Sequence, residues 1–295
     1  MSAGKKEHIS KTLGPRAFLK QIGFALDKKP HQIDRLLLKS LSEEDAAALE
    51  ILWAARNTGF SDDVEMYNFP KSLKSAALLF SYDWPRAIAT MEWFEETMKK
   101  IAPTTVIEMG VGAGFLLTYL QGRFPTIRFQ GIDAAENLCE VGSRLLNKLL
   151  ITGDYLITQP DDKYDLVLCD FGFDNSHFKP STSPHITETV AGVSYCSCCS
   201  HNLKLQFDAY LRAWRRWTNQ DGKFAIAGRF SNFGMLRALV LSASDVGWVL
   251  NLEMSKVLTV KTHDDFERFP ALVFDSMNAG TLMPDMESIA IFYSH

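Results

Sequence analysis

The pattern of apolar and polar positions divides the chain into three parts with different predicted structures. In residues 1–100, apolar residues recur at helical spacing between prolines, as in ALEILWAARN and WPRAIATMEWFEETMKK. After Pro103, short β-branched runs alternate with amphipathic stretches, from TTVIEMG (104–110) to SNFGMLRALVLSASDVG (231–247). In the tail, WVLNLEMSKVLTV, FPALVFDS and SIAIFYS follow one another without a helical pattern between them, which predicts antiparallel strands.

The alternation in the middle of the chain predicts an α/β protein. Strands separated by helices form a doubly wound, mostly parallel sheet with helices on both faces. We expect the antiparallel strands of the tail to close one edge of this sheet. We expect the helical N-terminal part to cap the ligand-binding side.

The segment VIEMGVGAGF (106–115) joins the first strand of this sheet to the first helix. Its glycines allow a sharp turn and a close approach of the backbone to a ligand. A dinucleotide fingerprint would place a glycine where Phe115 stands, and a phosphate-binding P-loop would place a lysine after the turn. Glu108, two residues before the first glycine, would repel a pyrophosphate and would suit a cationic ammonium group.

Acidic residues also follow the next three predicted strands. Asp133 ends the second strand, where it can accept hydrogen bonds from both hydroxyls of a ribose. Asp154 follows the third strand, where a carboxylate can meet an adenine amino group, and Asp170 ends the fourth. With Glu108, these residues face the crevice in which open α/β sheets bind ligands.

The region 104–294 resembles the class I S-adenosyl-L-methionine-dependent methyltransferases. VIEMGVGAG is similar to the first motif of that family, FQGID to the second, GDYL to the third and DLVLCDFG to the fourth. The resemblance implies a Rossmann-like, seven-stranded sheet with a reversed last strand, S-adenosyl-L-methionine as cofactor, and methyl transfer as the reaction. It places the cofactor-binding methyltransferase domain at 101–295 and a helical cap and substrate region at 1–100.

The same resemblance implies how individual residues meet the cofactor. Glu108 would contact the methionine ammonium directly or through water, Asp133 would hold the ribose, and Asp154 would face the adenine. The predicted cofactor-binding residues are Glu108, Gly110, Gly112, Gly114, Asp133, Ala134, Asp154, Tyr155 and Asp170.

Two features bear on the substrate. The fourth strand leads into Asp170-Phe171-Gly172-Phe173 and lacks the Asn/Asp-Pro-Pro-aromatic tetrapeptide of families that methylate nitrogens in nucleic acids and proteins. RAWRRW (212–217) fits a helix with tryptophans toward the sheet and solvated arginines better than a base-stacking surface. We therefore expect a small-molecule substrate and no nucleic-acid partner. Five aromatic residues are candidates to line its cavity: Tyr67, Phe69, Phe80, Tyr82 and Trp84.

Methyl transfer from a sulfonium is an in-line displacement that needs alignment and exclusion of water, and a base only when the nucleophile carries a proton. The predicted loop 173–202 contains three histidines, of which we favour His201 or His177 as the base, with Tyr195 as a hydrogen-bond partner. Other roles for the same fold stay open: protein or nucleic-acid methylation, non-methyl chemistry, or binding without turnover.

The stretch VSYCSCCSH (193–201) contains three of the five cysteines. It could form a metal site, a disulfide, or a catalytic thiolate near a helix N-terminus, and we favour a lid of small side chains in which Ser200 caps the helix. No metal is predicted, because C-S-C-C-S-H is compact for a tetrahedral ion, although His177 or His185 could complete a ligand set.

Composition and charge limit the location and the partners of the protein only slightly. A net charge of −4 and a pI near 6.0 give no overall attraction to nucleic acid or anionic membrane. No apolar run is long enough to span a bilayer, the N-terminus does not resemble a secretory signal, and five cysteines is an odd number. We therefore expect a cytoplasmic protein with reduced thiols and no membrane partner, and a homodimer stays an open option.

Overall fold

The computed structural model describes residues 13–56, 63–173, 185–262, 265–278 and 283–293. The helices are α1 (Pro15–Gln21), α2 (Pro30–Leu38), α3 (Glu43–Arg56), α4 (Asp63–Tyr67), α5 (Leu73–Leu79), α6 (Trp84–Ile101), α7 (Phe115–Arg123), α8 (Glu136–Leu146), α9 (Ser197–Arg216), α10 (Phe233–Asp245) and α11 (Met286–Ala290). The strands are β1 (Thr105–Met109), β2 (Arg128–Asp133), β3 (Ile151–Thr152), β4 (Tyr164–Asp170), β5 (Thr187–Val190), β6 (Val193–Cys196), β7 (Thr218–Ala227), β8 (Trp248–Lys261) and β9 (Phe266–Ser276).

Seven strands form one sheet in the order β3-β2-β1-β4-β7-β9-β8. The first five of these pair in parallel, whereas β9 pairs antiparallel with both β7 and β8. This strand order, with the last strand of the chain reversed and inserted, confirms the predicted Rossmann-like, class I methyltransferase fold. Strands β5 and β6 form a separate antiparallel hairpin.

One predicted strand of the tail is wrong. Its described residues, 288–293, form the end of α11 and a short 3₁₀ turn over Ile291–Tyr293. The side chain of Asp285 accepts a hydrogen bond from the backbone N–H of Ser288, which caps the helix, and Ile289 and Phe292 are buried at helical spacing. A short apolar run does not by itself distinguish a strand from a buried helix, and here the capping aspartate decides.

Alternating residues of the central strands enter two cores on opposite faces of the sheet. Val106 and Leu168 belong to a core shared with α1, α5, α6, α7 and α8, whereas Ile107 and Val167 belong to one shared with α9, α10 and α11. The N-terminal helices therefore pack directly on the sheet. The division of the chain at residue 100 stays a prediction.

The connection from β3 to β4, residues 153–163, contains no helix, although every residue in it is described. From this connection, the ring of Tyr155 packs against α9. Its centroid lies 5.5 Å from that of Trp214 and 5.9 Å from that of Tyr210. Among the described residues, no helix combines the length and the apolar character that crossing a membrane would require.

A buried carboxylate joins α6 to α7, the helix that follows the glycine turn. Glu95 accepts hydrogen bonds from Lys99 Nζ at 2.6 Å, from Arg123 Nη2 at 2.8 Å and from the Tyr119 hydroxyl. Burial raises the pKa of Glu95, but these hydrogen bonds outweigh it and hold the pKa at about 2. This network fastens α6 to α7.

We expect Glu95→Gln to lower the free energy of unfolding at pH 7 by about 2–4 kcal/mol, because the variant loses two charge-assisted bonds to a buried group. In the wild type, the stabilisation that the ionised Glu95 provides is fully present above its ordinary pKa of 4.5. It is lost as the pH falls toward 2. Urea denaturation at pH 7 and pH 4 measures both effects. The control Glu96→Gln removes a half-exposed carboxylate paired with Lys100 and Lys256, and should change stability by less than about 1 kcal/mol. Equal losses in the two variants would contradict the assignment.

Candidate functional site

The carboxyl ends of β1, β2 and β4 open into a cavity of about 2270 Å³. Pockets for small ligands usually measure roughly 300–1000 Å³, so this cavity has room for more than one ligand. The sheet edge forms its floor, and residues of α2 to α6 form the opposite wall. Of the predicted cofactor-binding residues, all but Gly114 line it.

The glycine turn after β1 forms one side of the floor. The N–H groups of Gly110 and Val111 donate to the carbonyl of Ile132, which holds the turn against β2. Gly112 has a φ of +52°, and a Cβ on it would come within 3.2 Å of the Phe80 ring. The turn therefore needs glycine for its conformation and for the close approach of the wall. Gly114 lies behind it, as the N-cap of α7.

Glu108 is the most deeply buried acidic group on the floor, with 3% of its surface exposed. Its Oε2 atom has no hydrogen-bond partner in the described part of the chain. Burial, together with the negative charges of Asp170 and Asp133, raises the pKa of Glu108 well above its ordinary value. A cationic hydrogen-bond donor in the cavity would satisfy the free oxygen and offset the repulsion.

The other two carboxylates of the floor are held by defined donors. Asp133 Oδ2 accepts from the N–H of Gly112 at 2.7 Å, and Oδ1 accepts from the N–H of Ala135 at 2.8 Å. Burial raises the pKa of Asp133, and these backbone hydrogen bonds oppose the rise. Asp170 Oδ2 accepts from the hydroxyl of Thr90 on α6 at 3.2 Å. The sheet and the cap thus both orient the acidic floor.

Asp154 and Tyr155 lie on the side of the cavity beyond β2. Asp154 is exposed, and its Oδ1 accepts a hydrogen bond from the N–H of Leu156 at 2.8 Å. Ala134 is also exposed and lines the same cavity. The roles predicted for these residues stay predictions, but all three residues line the same cavity.

Three of the five aromatic candidates from the N-terminal region, Tyr67, Phe80 and Tyr82, line the cavity. The hydroxyl of Tyr82 donates to Asp34 in the same wall. The other two lie elsewhere: Phe69 packs in a small cluster of the N-terminal helices, and Trp84 lies under the guanidinium of Arg16, 4.8 Å from the ring centroid.

A charged group at the far side of the cavity was missed by sequence reasoning. Arg229 Nε donates to Glu267 Oε1 at 2.6 Å, and Arg86 Nε lies 3.5 Å from Glu267 Oε2. Both guanidinium groups lie over the ring of Phe171, at 4.6 Å for Arg86 and 5.9 Å for Arg229. These residues come from α6, β9 and the segments after β4 and β7, so no local motif connects them.

The predicted catalytic residues do not lie at this cavity where they are described. His201 is exposed on α9 and does not line it. Tyr195 is buried on β6, with its hydroxyl donating to Glu188 at 2.6 Å and its ring against Phe233. His177 lies outside the described residues. Their catalytic roles stay predictions, and none is needed for the function proposed below.

The cysteine-rich stretch spans the end of β6 and the first turn of α9. Helix α9 begins at Ser197, so the N-cap is Cys196, whose Sγ accepts a hydrogen bond from the N–H of Cys199 at 3.4 Å. The prediction that Ser200 caps the helix is wrong, because the helix starts three residues earlier. The Ser200 hydroxyl instead donates to the carbonyl of Gly234 at 2.8 Å. Hydrogen bonds from Cys198 and from the backbone of Cys199 lower the pKa of the Cys196 thiol to about 5.

No protein-family model matches the chain, and no curated protein matches it. It is similar to the solved structure of N-methyltransferase NodS from Bradyrhizobium japonicum in complex with S-adenosyl-L-homocysteine, at 9% identity and a TM-score of 0.47, over 66% of this chain and 89% of that one. A SAM-dependent methyltransferase from Aquifex aeolicus matches at 17% identity and a TM-score of 0.40, over 62% and 89% of the two chains. A ribosomal protein L11 methylase from Lactobacillus delbrueckii matches at 14% identity and a TM-score of 0.41, over 66% and 81%. Likenesses this distant assign no family, and the fold is established by the chain's own strand order.

We expect Glu108→Gln to raise the free energy of unfolding of the ligand-free protein by about 1–3 kcal/mol at pH 8, because it removes a buried charge that faces two other carboxylates. Since the folded-state pKa of Glu108 is raised, the wild type loses stability as the pH rises above the ordinary value of 4.5. The variant should lose less between pH 5 and pH 8.

Urea denaturation of both proteins at the two pH values measures the difference. Asp154→Asn, at the exposed rim, is the matched control and should follow the wild type. A variant Glu108→Gln that is less stable than the wild type at pH 8 would contradict the description of the floor.

Proposed function

We propose that the protein binds S-adenosyl-L-methionine and transfers its methyl group to an acceptor molecule. The observation that carries this proposal is the partnerless Oε2 of buried Glu108, directly beside the glycine turn and between Asp133 and Asp170. An anionic floor of this kind suits a cationic ligand and disfavours a nucleotide with phosphate groups.

The residues present fit this cofactor. Glu108 Oε2 would accept a hydrogen bond from the methionine ammonium, a charge-assisted bond to a buried group. Each oxygen of Asp133 accepts one backbone hydrogen bond and keeps a further lone pair for the two ribose hydroxyls. Asp154 and Tyr155, on the side of the cavity beyond β2, would meet the adenine.

When bound, the cofactor supplies an electrophilic methyl group on a sulfonium. The chain contributes position and exclusion of water, which are the main needs of an in-line displacement. Glu108 and Asp133 would hold two separate parts of the ligand. Thr90 orients Asp170 at the floor, and Phe80, stacked on Tyr67, covers the glycine turn from the N-terminal helices.

We propose a small molecule as the acceptor. The cavity volume supports this, since it exceeds what one ligand usually occupies, and the remaining space lies between the N-terminal helices and the sheet. Its walls combine aromatic rings with the Arg86, Arg229 and Glu267 group around Phe171. Such a wall can pack an apolar body and orient a polar substituent.

We expect substitutions of two residues on the cavity floor to show which part of the cofactor each residue contacts. Glu108→Gln should weaken binding of S-adenosyl-L-methionine and S-adenosyl-L-homocysteine by roughly 10- to 100-fold, but should leave 5′-methylthioadenosine, which lacks the amino-acid end, nearly unchanged. Asp133→Asn should weaken all three ligands, because all contain the ribose.

Isothermal titration calorimetry measures these affinities, with Glu96→Gln as a control outside the cavity. Absence of cofactor binding by the wild type would overturn the proposal. So would equal loss of all three ligands in Glu108→Gln, since that result would place the carboxylate away from the ammonium.

Turnover is tested with cofactor labelled in its methyl group. The protein is incubated separately with a metabolite extract and with macromolecules from the same cells. Label in a small product together with release of S-adenosyl-L-homocysteine is the expected result. Label confined to protein or nucleic acid would overturn the choice of acceptor. Cofactor binding without release in either extract would favour a binding protein without turnover.

A further inference from the structure

Four metal-ligating side chains meet at the junction of the β5–β6 hairpin and α9. The Nδ1 atom of His185 lies 3.3 Å from Cys196 Sγ and 3.4 Å from Cys199 Sγ, and Cys196 Sγ lies 3.0 Å from Cys198 Sγ. One ligand atom of each residue lies within 4.8 Å of those of the other three. None of the three cysteines takes part in a disulfide.

These separations are near those in the ligand shell of a tetrahedral metal ion. Around zinc, with Zn–S bonds of about 2.3 Å and Zn–N bonds of about 2.0–2.1 Å, neighbouring ligand atoms lie about 3.5–3.8 Å apart. The two distances from His185 Nδ1, 3.3 and 3.4 Å, are shorter than this by only about 0.1–0.3 Å. The sulfurs of Cys196 and Cys198, at 3.0 Å, would have to move apart by roughly 0.8 Å, and no pair of ligand atoms is farther apart than 4.8 Å. One histidine nitrogen and three thiol sulfurs form a donor set found in structural zinc sites.

The fold brings the four residues together despite their compact spacing in sequence. Thr187 pairs with Cys196 across the hairpin, and the N–H of Ser197 donates to the carbonyl of Ile186 at 2.8 Å, so the chain just before β5 runs beside the end of β6. Cys198 and Cys199 then follow in the first turn of α9, where the sulfurs of Cys196 and Cys199 both face His185.

The backbone that carries these ligands is held from outside the cluster. The buried hydroxyl of Ser200 donates to Gly234 on α10, which fixes the first turn of α9. Tyr195 packs its ring on Phe233 and bonds Glu188 across the hairpin. Preorganised ligands on a strand end and a helix start are what a tight metal site requires.

We propose that His185, Cys196, Cys198 and Cys199 bind one zinc ion in a closed Cys₃His site that fastens the β5–β6 hairpin to the N-terminus of α9. On binding, the three thiols lose their protons to solvent and His185 ligates as the neutral imidazole. Four protein ligands fill the tetrahedral shell, so the ion has a structural role and no position for a substrate.

The site lies at the border of the cavity, because Cys199 and Leu203 of α9 line it. The interpretation of this stretch as a lid without metal rested on the compactness of C-S-C-C-S-H. His185 was considered as a ligand that could complete the set, and the hairpin places it beside the start of α9. Metal binding here does not depend on the function proposed for the cavity.

The test is zinc content and affinity of the full chain. The protein is purified under reducing conditions without a metal-affinity step, dialysed against metal-free buffer and analysed for elements. We expect one zinc per chain. Cobalt titrated into the zinc-free protein should saturate at one equivalent, with the visible absorption of tetrahedral cobalt and a thiolate charge-transfer band.

The variant pair His185→Ala and His201→Ala gives the matched comparison, since both histidines are exposed and flank the same cysteines. His185→Ala should weaken zinc by more than about 100-fold, beyond what loss of an outer-shell partner causes, whereas His201→Ala should leave affinity unchanged. Circular dichroism confirms folding, and the double variant Cys198→Ser/Cys199→Ser should abolish the cobalt thiolate band.

Several results would overturn the proposal. One is a zinc affinity of the reduced wild type weaker than micromolar. Another is an equal zinc affinity of the two histidine variants. A third is a purified protein that contains stoichiometric iron or copper in place of zinc. Cofactor binding is not a readout in these experiments, so failure of the proposed methyl transfer would leave their outcome unchanged.

Discussion

The convergence of three carboxylates at one edge of the sheet is the constraint around which the molecule is organised. Strand β1 pairs in parallel with both β2 and β4, so Glu108, Asp133 and Asp170 end neighbouring strands on the same side. Their mutual repulsion and burial oppose folding. They are kept in place by backbone donors, by Thr90 from the cap, and by the packing of both sheet faces. A cationic ligand would turn this unfavourable arrangement into a binding site, which is the usual relation between stability and function at an active site.

The N-terminal helices belong to this arrangement physically, even though the sequence pattern sets them apart. Trp93 and Phe94 of α6 are buried in the core that contains Val106 and Leu168, and Glu95 of the same helix bonds Tyr119 on α7. The cap thus supplies core packing, one orienting hydroxyl and most of the wall opposite the floor. Separation of the chain at residue 100 would expose a large apolar face of the sheet.

Much of the fold and of the cavity floor could be predicted from the sequence, because the signals there are local. Alternation of strands and helices predicts the parallel sheet. The turn around Gly112 needs a positive φ, which restricts it to glycine in practice, and acidic residues at strand ends necessarily share one edge. SIAIFYS could not be assigned correctly, because a short apolar run fits a strand or a helix until the cap by Asp285 is seen.

The charged wall escaped prediction, and the thiol cluster was considered as a metal site but not favoured, because both depend on tertiary placement. Arg86 lies in the first turn of α6, far along the chain from Glu267 and Phe171, and only the fold brings the three residues together. Likewise, His185 becomes a neighbour of Cys199 only through the hairpin register. The spacing of these residues along the chain does not show that either pair is in contact.

The position of Phe80 has a consequence for how this chain could change its substrate during evolution. Its ring stacks on Tyr67 at 5.8 Å, meets Phe115 edge-on at 5.7 Å, and lies on the Gly112 turn. A substitution there that reshapes the acceptor space would also loosen the glycine turn and the start of α7. Under the proposed function, the acceptor space would therefore be easier to reshape at Tyr82 or Arg229, which also line the cavity.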